Sequence, residues 1–312
     1  MSSLVVLGAS GFLGRNVLTF NNFELPIKAV SRRIPADIQN TKKKVSWFAA
    51  DLLTVDSLNN IIDPGDIVIN LVYMKNADEK RNVELIDNIL AACINARVAR
   101  LIHCSTAVVV GTAKTSFVDE ITPCVPITAY EKTKLNIEKR IITFVNKGID
   151  VGILRPTAIV GPGSNNLLKL AISLHSGNKI LNYLRASLFR RRPMHLVPVH
   201  LVVAALFHLA LFPKTLDGNI FIVSADDDAN NNFESVEAYL MRNFGQKSRM
   251  VPLFPLTMNL ISLLLKLRGD SDSDMNRYYS AQKLRSTNFI SHYTIEDSIR
   301  QFYESYINIQ TK

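Results

Sequence analysis

The feature that most restricts this chain is its opening. Leu4-Val5-Val6-Leu7 runs straight into Gly8-Ala9-Ser10-Gly11-Phe12-Leu13-Gly14, after which Arg15 to Phe20 can continue as helix. A short, unbroken apolar run suits a strand buried on both faces. Glycine at a strand-to-helix junction permits a tight turn, lets backbone N–H groups approach a bound anion and brings helix close to strand. That order of elements within the first fifteen residues fits a pyrophosphate held at a helix N-terminus. Gly8, Ser10, Gly11, Phe12, Leu13 and Gly14 are therefore the first candidate dinucleotide contacts. The spacing is Gly-x-x-Gly-x-x-Gly, one residue longer in its first step than the better-known Gly-x-Gly-x-x-Gly.

The same rhythm continues. Strands are expected at Ile27–Val30, Val45–Ala50, Asp66–Leu71, Leu101–Cys104 and Val151–Leu154, with a helix from about Glu79 to Ala96 and another after Thr128. Strands alternating with helices, at spacings too long for hairpins, indicate a parallel sheet covered on both faces. From Gly161 onward loops lengthen and helices multiply, and only Pro198-Val199-His200 and Ile220–Val223 read as strands. The expected architecture is α/β: a Rossmann-type doubly wound parallel sheet over residues 1–160. A smaller, interleaved substrate-binding domain follows over 161–312, with some strands returning to the core.

Two further signals sit on this frame. The second strand ends at Ser31-Arg32-Arg33, where an acidic residue would bind the ribose 2′-hydroxyl of NAD. A hydroxyl and two guanidiniums suit a 2′-phosphate instead, so NADP is the expected cofactor and NAD the less favoured one. In Thr128-Ala-Tyr130-Glu131-Lys-Thr-Lys134, Thr128 and Glu131 form a capping-box pattern, and Leu135, Ile137, Ile141, Ile142 and Val145 supply an apolar stripe. Tyr130 and Lys134 then project one helical turn apart. An ammonium near a phenol favours the phenolate, which would make Tyr130 a usable acid and base near neutral pH.

Composition excludes several other classes. The formal charge of +9 invites nucleic acid, but apart from Lys42–Lys44 and Arg190–Arg192 the basic residues are scattered, without interleaved aromatics. No nucleic-acid partner is expected. Cys93, Cys104 and Cys124 have no metal-like spacing and an odd count, so no metal and a reducing, cytoplasmic compartment are expected. The N-terminus lacks a basic n-region, which argues against a signal sequence. The apolar runs Val199–Phe212 and Leu253–Leu267 fall short of the roughly 20 residues a spanning helix needs and read as buried helices. Surface attachment through the second is the lesser reading.

Taken together, the motifs resemble the extended short-chain dehydrogenase/reductases, in their nucleotide-sugar epimerase/dehydratase/reductase branch. The resemblance rests on Gly8-x-x-Gly11-x-x-Gly14, Asp51-Leu52, Asn82-Val83, Ser105-Thr106 with Gly111, Tyr130-x-x-x-Lys134, Arg155-Pro156, Gly161-Pro162-Gly163, Val199-His200, Lys283-Leu284 and Tyr293–Ile299. It implies that Tyr130 is the general acid/base and that Lys134 lowers its pKa while binding the nicotinamide ribose. Thr106 would hydrogen-bond the reacting sugar oxygen, with Ser105 beside it. Asp51 and Leu52 would flank the adenine, Asn70, Leu71 and Val72 would line the cofactor trench, and Pro156 would lie near the carboxamide. The chain departs from the family at Val109-Val110-Gly111, where Val-Tyr-Gly is common. It also has no aspartate in Val199–Val203, and Leu196 stands where an arginine is usual.

The implied activity is NADP-dependent hydride transfer to the 4-keto group of a nucleotide-diphosphate sugar. An epimerase with tightly held cofactor is the alternative, and a dinucleotide-binding sensor or scaffold is a third reading that the presence of both Tyr130 and Lys134 disfavours. Asn166 either touches the substrate or caps a helix starting near Leu167. Arg190–Arg192, Arg192 foremost, either clamp a diphosphate or form a solvated basic loop. His103, His175, His195 and His208 read as structural. The resemblance also implies a homodimer through helices near residues 79–96 and 130–146.

Overall fold

A computed structural model describes residues 2–20, 25–36, 44–245 and 277–310. The apolar run Leu253–Leu267 and the basic residues Lys42 and Lys43 lie outside the described residues.

The opening strand β1 (Leu4–Leu7) is fully buried and passes through the glycine turn into α1 (Phe12–Thr19), three residues earlier than its sequence suggests. Then follow β2 (Ile27–Ser31), β3 (Val45–Ala49), β4 (Ile67–Asn70), α2 (Glu79–Ala96) and β5 (Arg100–Cys104). After the short β6 (Phe117–Val118) come α3 (Ala129–Ile142), β7 (Val151–Pro156), β8 (Ala158–Val160), α4 (Leu168–Ser176) and α5 (Lys179–Phe189). The chain continues through β9 (Leu196–Pro198), α6 (Val199–Ala210), β10 (Asn219–Val223), α7 (Phe233–Asn243), β11 (Tyr278–Tyr279), α8 (Gln282–Arg285) and α9 (Ile295–Gln310).

Seven strands form one sheet in the order β10-β7-β5-β4-β1-β2-β3, and every neighbouring pair is parallel. All seven therefore end on one edge, where open α/β sheets place their ligands. Val17 and Leu18 of α1 and Val202 to Leu209 of α6 pack with one face. Leu85, Ile86, Ile89 and Leu90 of α2, with Ile137 and Ile141 of α3, cover the other. A separate cluster joins α4, α7 and α9 through Leu174, Leu240 and Phe302. It contains Leu196, whose apolar side chain belongs to a core where an arginine would need a partner.

The segment Pro198-Val199-His200, expected as strand, divides. Pro198 ends β9 and Val199 begins α6, whose apolar residues on all sides suit a helix enclosed between α1 and the sheet. Proline has no N–H for a ladder and loses nothing at a helix start, so the change falls there. The far end of α6 is tied down by Arg100. Its guanidinium donates to the carbonyls of Leu209, Ala210, Phe212 and Lys214 and pairs with Asp150 at 2.6 Å.

Candidate active site

The glycine turn is held by short backbone contacts. Gly8 lies at φ +84°, a left-handed conformation that favours glycine, and its amide and that of Ala9 both donate to the Val30 carbonyl at 3.0 Å. A methyl group built on Gly14 would stand 2.3 Å from the Gly8 carbonyl oxygen, so helix and turn touch with no room for a side chain. The N-cap of α1 is Gly11, which offers no side chain to occupy the free amides of the first turn. That cradle fits a pyrophosphate.

Opposite the turn stands α3. Thr128 caps it, its hydroxyl accepting from the Glu131 amide at 3.2 Å, and Glu131 Oε2 returns to the amides of Ile127 and Thr128. The capping box read from sequence is present. It fixes the first turn of α3, which carries Tyr130, and the Thr106 hydroxyl lies near that phenol. Lys134 is buried one turn along, its Nζ donating to the Cys104 carbonyl at 2.9 Å and lying 5.4 Å from the centre of the Tyr73 ring. Tyr73 in turn meets Tyr130 edge-on at 5.0 Å.

The expected depression of the phenol pKa is not what this geometry gives. Burial raises Tyr130, with smaller upward contributions from the Cys104 thiol and Tyr73, and only the nearby Thr106 hydroxyl opposes them. The ammonium of Lys134 is directed at the Cys104 carbonyl, and burial lowers its own pKa against the pull of Cys104 and Glu138. Glu138, one further turn along, is buried with Arg155 in a two-pronged ion pair, with oxygens 2.6 to 3.2 Å from the guanidinium nitrogens.

Turn and helix face each other across one cleft of about 1040 Å³. It is lined by Gly8, Gly11, Phe12, Leu13, Gly14 and Leu71 on one side and by Ser105, Tyr130 and Lys134 on the other. Ser10 sits exposed in the turn, and its carbonyl accepts from Arg15. Ser105 carries a buried hydroxyl with no hydrogen-bond partner, a polar group poised for a ligand at the cleft wall.

The other expected cofactor residues lie at the same sheet edge. Ser31 ends β2, its hydroxyl donating to the Arg33 carbonyl at 2.7 Å, and Arg32 and Arg33 are exposed without an ion pair to any described residue. Asp51 follows β3, exposed and accepting from the Leu53 amide, while Leu52 is buried. Asn70 turns inward rather than lining the trench. Its Oδ1 accepts from the Val72 amide at 3.0 Å and its Nδ2 meets His103 Nδ1 at 3.1 Å, which makes that imidazole nitrogen the acceptor. Its service is to shape the loop of Leu71 and Val72. Pro156 closes β7, fully buried beside the Arg155 ion pair.

Two expected substrate residues stand apart from the cleft. Arg192 lines a second cavity of about 530 Å³, together with Val108 from the turn after β5, Thr128 and Glu131 from the start of α3, and Phe189 and Tyr279. Asn166 donates to the Ile159 carbonyl at 2.6 Å, and α4 starts from Leu167 with no side-chain cap, so the capping alternative for Asn166 does not hold. Sequence reasoning missed Tyr73, whose aromatic ring three residues after the end of β4 was the available signal. It also missed Cys104, whose carbonyl rather than its thiol matters here. No group of three or more ligand-type side chains able to hold a metal occurs among the described residues.

Comparison with known proteins adds to this. Residues 4–188 match the family described as the NAD dependent epimerase/dehydratase family. The uncharacterized protein 052L of Frog virus 3 is 29% identical over 196 residues, which are 54% of this chain and 55% of that protein. The chain thus spans about half the length of the curated relative it matches. Among solved structures, dTDP-glucose 4,6-dehydratase from Bacillus anthracis in complex with NAD superposes with a TM-score of 0.72 at 15% identity, covering 100% of this chain and 98% of that one. RMD from Pseudomonas aeruginosa complexed with NADPH gives a TM-score of 0.69 at 18% identity, covering 99% and 100%.

Proposed function

The chain belongs to the NAD dependent epimerase/dehydratase family, and from that premise we propose that it is an NADP-dependent reductase of a 4-keto nucleotide-diphosphate sugar. The observation that carries the reading is the single cleft lined both by the glycine cradle and by Tyr130, Lys134 and Ser105. A nicotinamide dinucleotide held there would supply the hydride. Reduction of a ketone makes an alkoxide that needs a proton, and the phenol of Tyr130, a far stronger acid than the alcohol that forms, can give it. The Thr106 hydroxyl lies near the phenol, and the Lys134 ammonium stands in the same wall to offset the phenolate that remains.

The choice of NADP is supported by the end of β2, where Arg32 and Arg33 are exposed and no carboxylate stands. The nucleotide-diphosphate sugar is supported by the second cavity, where Arg192 and aromatic rings gather next to the N-terminus of α3. Cytoplasmic location and a homodimer through α2 and α3 belong to the same reading. Across that helix pair within one chain, Arg140 pairs with Asp87 at 2.6 Å.

Purified protein incubated with UDP-, GDP- and TDP-linked 4-keto sugars should consume NADPH with at least one of them. NADH should be the poorer donor, and Arg32→Ala should narrow the difference. Turnover at constant absorbance without added NADPH would replace the reductase by the epimerase. Preference for NADH, unchanged by Arg32→Ala, would remove the NADP assignment.

A further inference from the structure

Helix α5 packs inside out. It buries Asn182, Ala186 and Ser187 and turns Ile180, Leu181 and Leu184 to solvent, at 70%, 59% and 55% exposure. The inward face is fixed by polar contacts with α4. Asn182 Nδ2 donates to the Ser173 carbonyl at 2.6 Å, the Ser173 hydroxyl donates to Asn182 Oδ1 at 2.7 Å, and Arg185 donates to the same hydroxyl at 3.0 Å. Positions 180 and 184 are one turn apart and 181 flanks them, so the three aliphatic side chains share a stripe. Single exposed leucines are ordinary, but three aliphatics on one helix face mark a surface that something covers.

The charge around the stripe says what. Residues 151–216 contain eight Lys and Arg and no Asp or Glu, of which Arg155 is buried in its pair with Glu138 and adds nothing to the surface. Lys169, Lys179, Arg190 and Arg191, all exposed, precede or follow the stripe in that stretch, and Arg190 pairs with Glu234. An apolar stripe accompanied by cations is the pattern of a helix that lies in the interface of an anionic bilayer.

We propose that α5 docks this protein on an anionic lipid surface, with Ile180, Leu181 and Leu184 entering the acyl boundary and the flanking basic side chains meeting the headgroups. Such docking is peripheral, and no described helix is long and apolar enough to cross a membrane. A second copy of the chain is the poorer occupant. A symmetric contact through α5 would bring exposed Lys179 and Arg191 near the same cations of the other copy, and like charges repel. The position of α5 also matters, because its last residue, Phe189, and nearby Arg192 line the second cavity. Docking would bring that cavity to the membrane surface. The inference is independent of the reductase reading.

The test is co-sedimentation of the full chain with vesicles of phosphatidylcholine alone and with about 30% phosphatidylglycerol added, at low and high salt. Binding is expected only to the anionic vesicles and should weaken as salt rises. The double variant Leu181→Asp/Leu184→Asp should bind roughly 100-fold more weakly, and Lys179→Glu should reduce binding by a smaller factor. Ile121→Asp, an apolar residue 88% exposed in another part of the chain, serves as control and should bind like the parent. Because the altered side chains are already in water, unfolding temperatures should be unchanged, which separates lost docking from lost folding. Three results would overturn the proposal. One is no binding to anionic vesicles, and another is binding untouched by the α5 double variant. The third is a lipid-free dimer that the same variant converts to monomer, which would assign the stripe to a second copy.

Discussion

On the glycine side of the cleft the chain contributes amides and carbonyls, packed so closely that a methyl group at Gly14 would lie 2.3 Å from the Gly8 oxygen. On the α3 side it contributes a row of ionisable side chains, Tyr130, Lys134 and Glu138, each one turn from the next and progressively better enclosed, from 41% exposed to 3% and then 1%. The first wall is specified by the absence of atoms and the second by the placement of charge. A backbone wall serves any ligand that presents phosphate to it and can fail only by steric intrusion. A side-chain wall can fail electrostatically, with the backbone still in place. Binding and chemistry should therefore separate experimentally along the two walls.

The largest expected effect breaks the chemical wall alone. Tyr130→Phe keeps the ring against Tyr73 but removes the proton donor, and hydride transfer should fall by about 10²–10⁴-fold. Dinucleotide affinity, measured by fluorescence titration, should stay within a few-fold of the parent. Equal loss of both would show that the walls are not separable. Next comes the base of that wall. Glu138→Gln leaves the Arg155 guanidinium buried without its carboxylate and should destabilise the fold by about 3–5 kcal/mol in urea unfolding. Replacing both partners with apolar residues of similar volume should recover much of the loss.

The steric wall should fail differently. Gly14→Ala forces the helix away from the turn and should cost about 1–3 kcal/mol. The dinucleotide should bind more weakly while the Tyr130 pH dependence is retained. The smallest effect sharpens the electrostatic side. Burial and the nearby Lys134 hold His103 well below its usual 6.5, so the native state keeps this imidazole neutral where the unfolded chain takes up a proton. That contribution is present above pH 6.5 and is lost as pH falls below it, by up to about 1.4 kcal/mol per unit. His200 and His208, also depressed by burial, act in the same sense. Urea unfolding at a series of pH values should show His103→Gln with a shallower acid slope.

What was legible in the sequence is what is encoded by neighbours along the chain. The strand, glycine turn and helix from Leu4 to Thr19 follow from periodicity and glycine placement. The capping box at Thr128 and Glu131 is a four-residue pattern, and it formed as read. The parallel sheet followed from strand spacing alone. Contacts across distant elements were not legible. Asn70 looked like a trench residue until His103, on the adjacent strand, drew its amide inward. The ammonium of Lys134 was expected to serve the phenol one turn away, yet the nearest acceptor proved to be a carbonyl at the end of β5. Helix α5 shows the limit of the apolar-inside rule. Its buried face was chosen by hydrogen bonds between Asn182 and Ser173, which hydrophobic periodicity does not register.

The order of the sheet carries a consequence for how the chain is made. Strand β10 pairs with β7, and α6 covers the face shared with α1, held there by Arg100. During synthesis from the N-terminus, the glycine turn and most of the sheet leave the ribosome well before these two elements. Until Ala210 has emerged, Leu4, Val6, Ile69 and Ile102 lack the helix that shields them, and until Val223 has emerged one edge of the sheet lacks its last strand. A nascent chain paused in that interval would present apolar surface and an unpaired strand edge, the features that chaperones recognise. The half that carries the glycine turn is thus early in sequence but late to close.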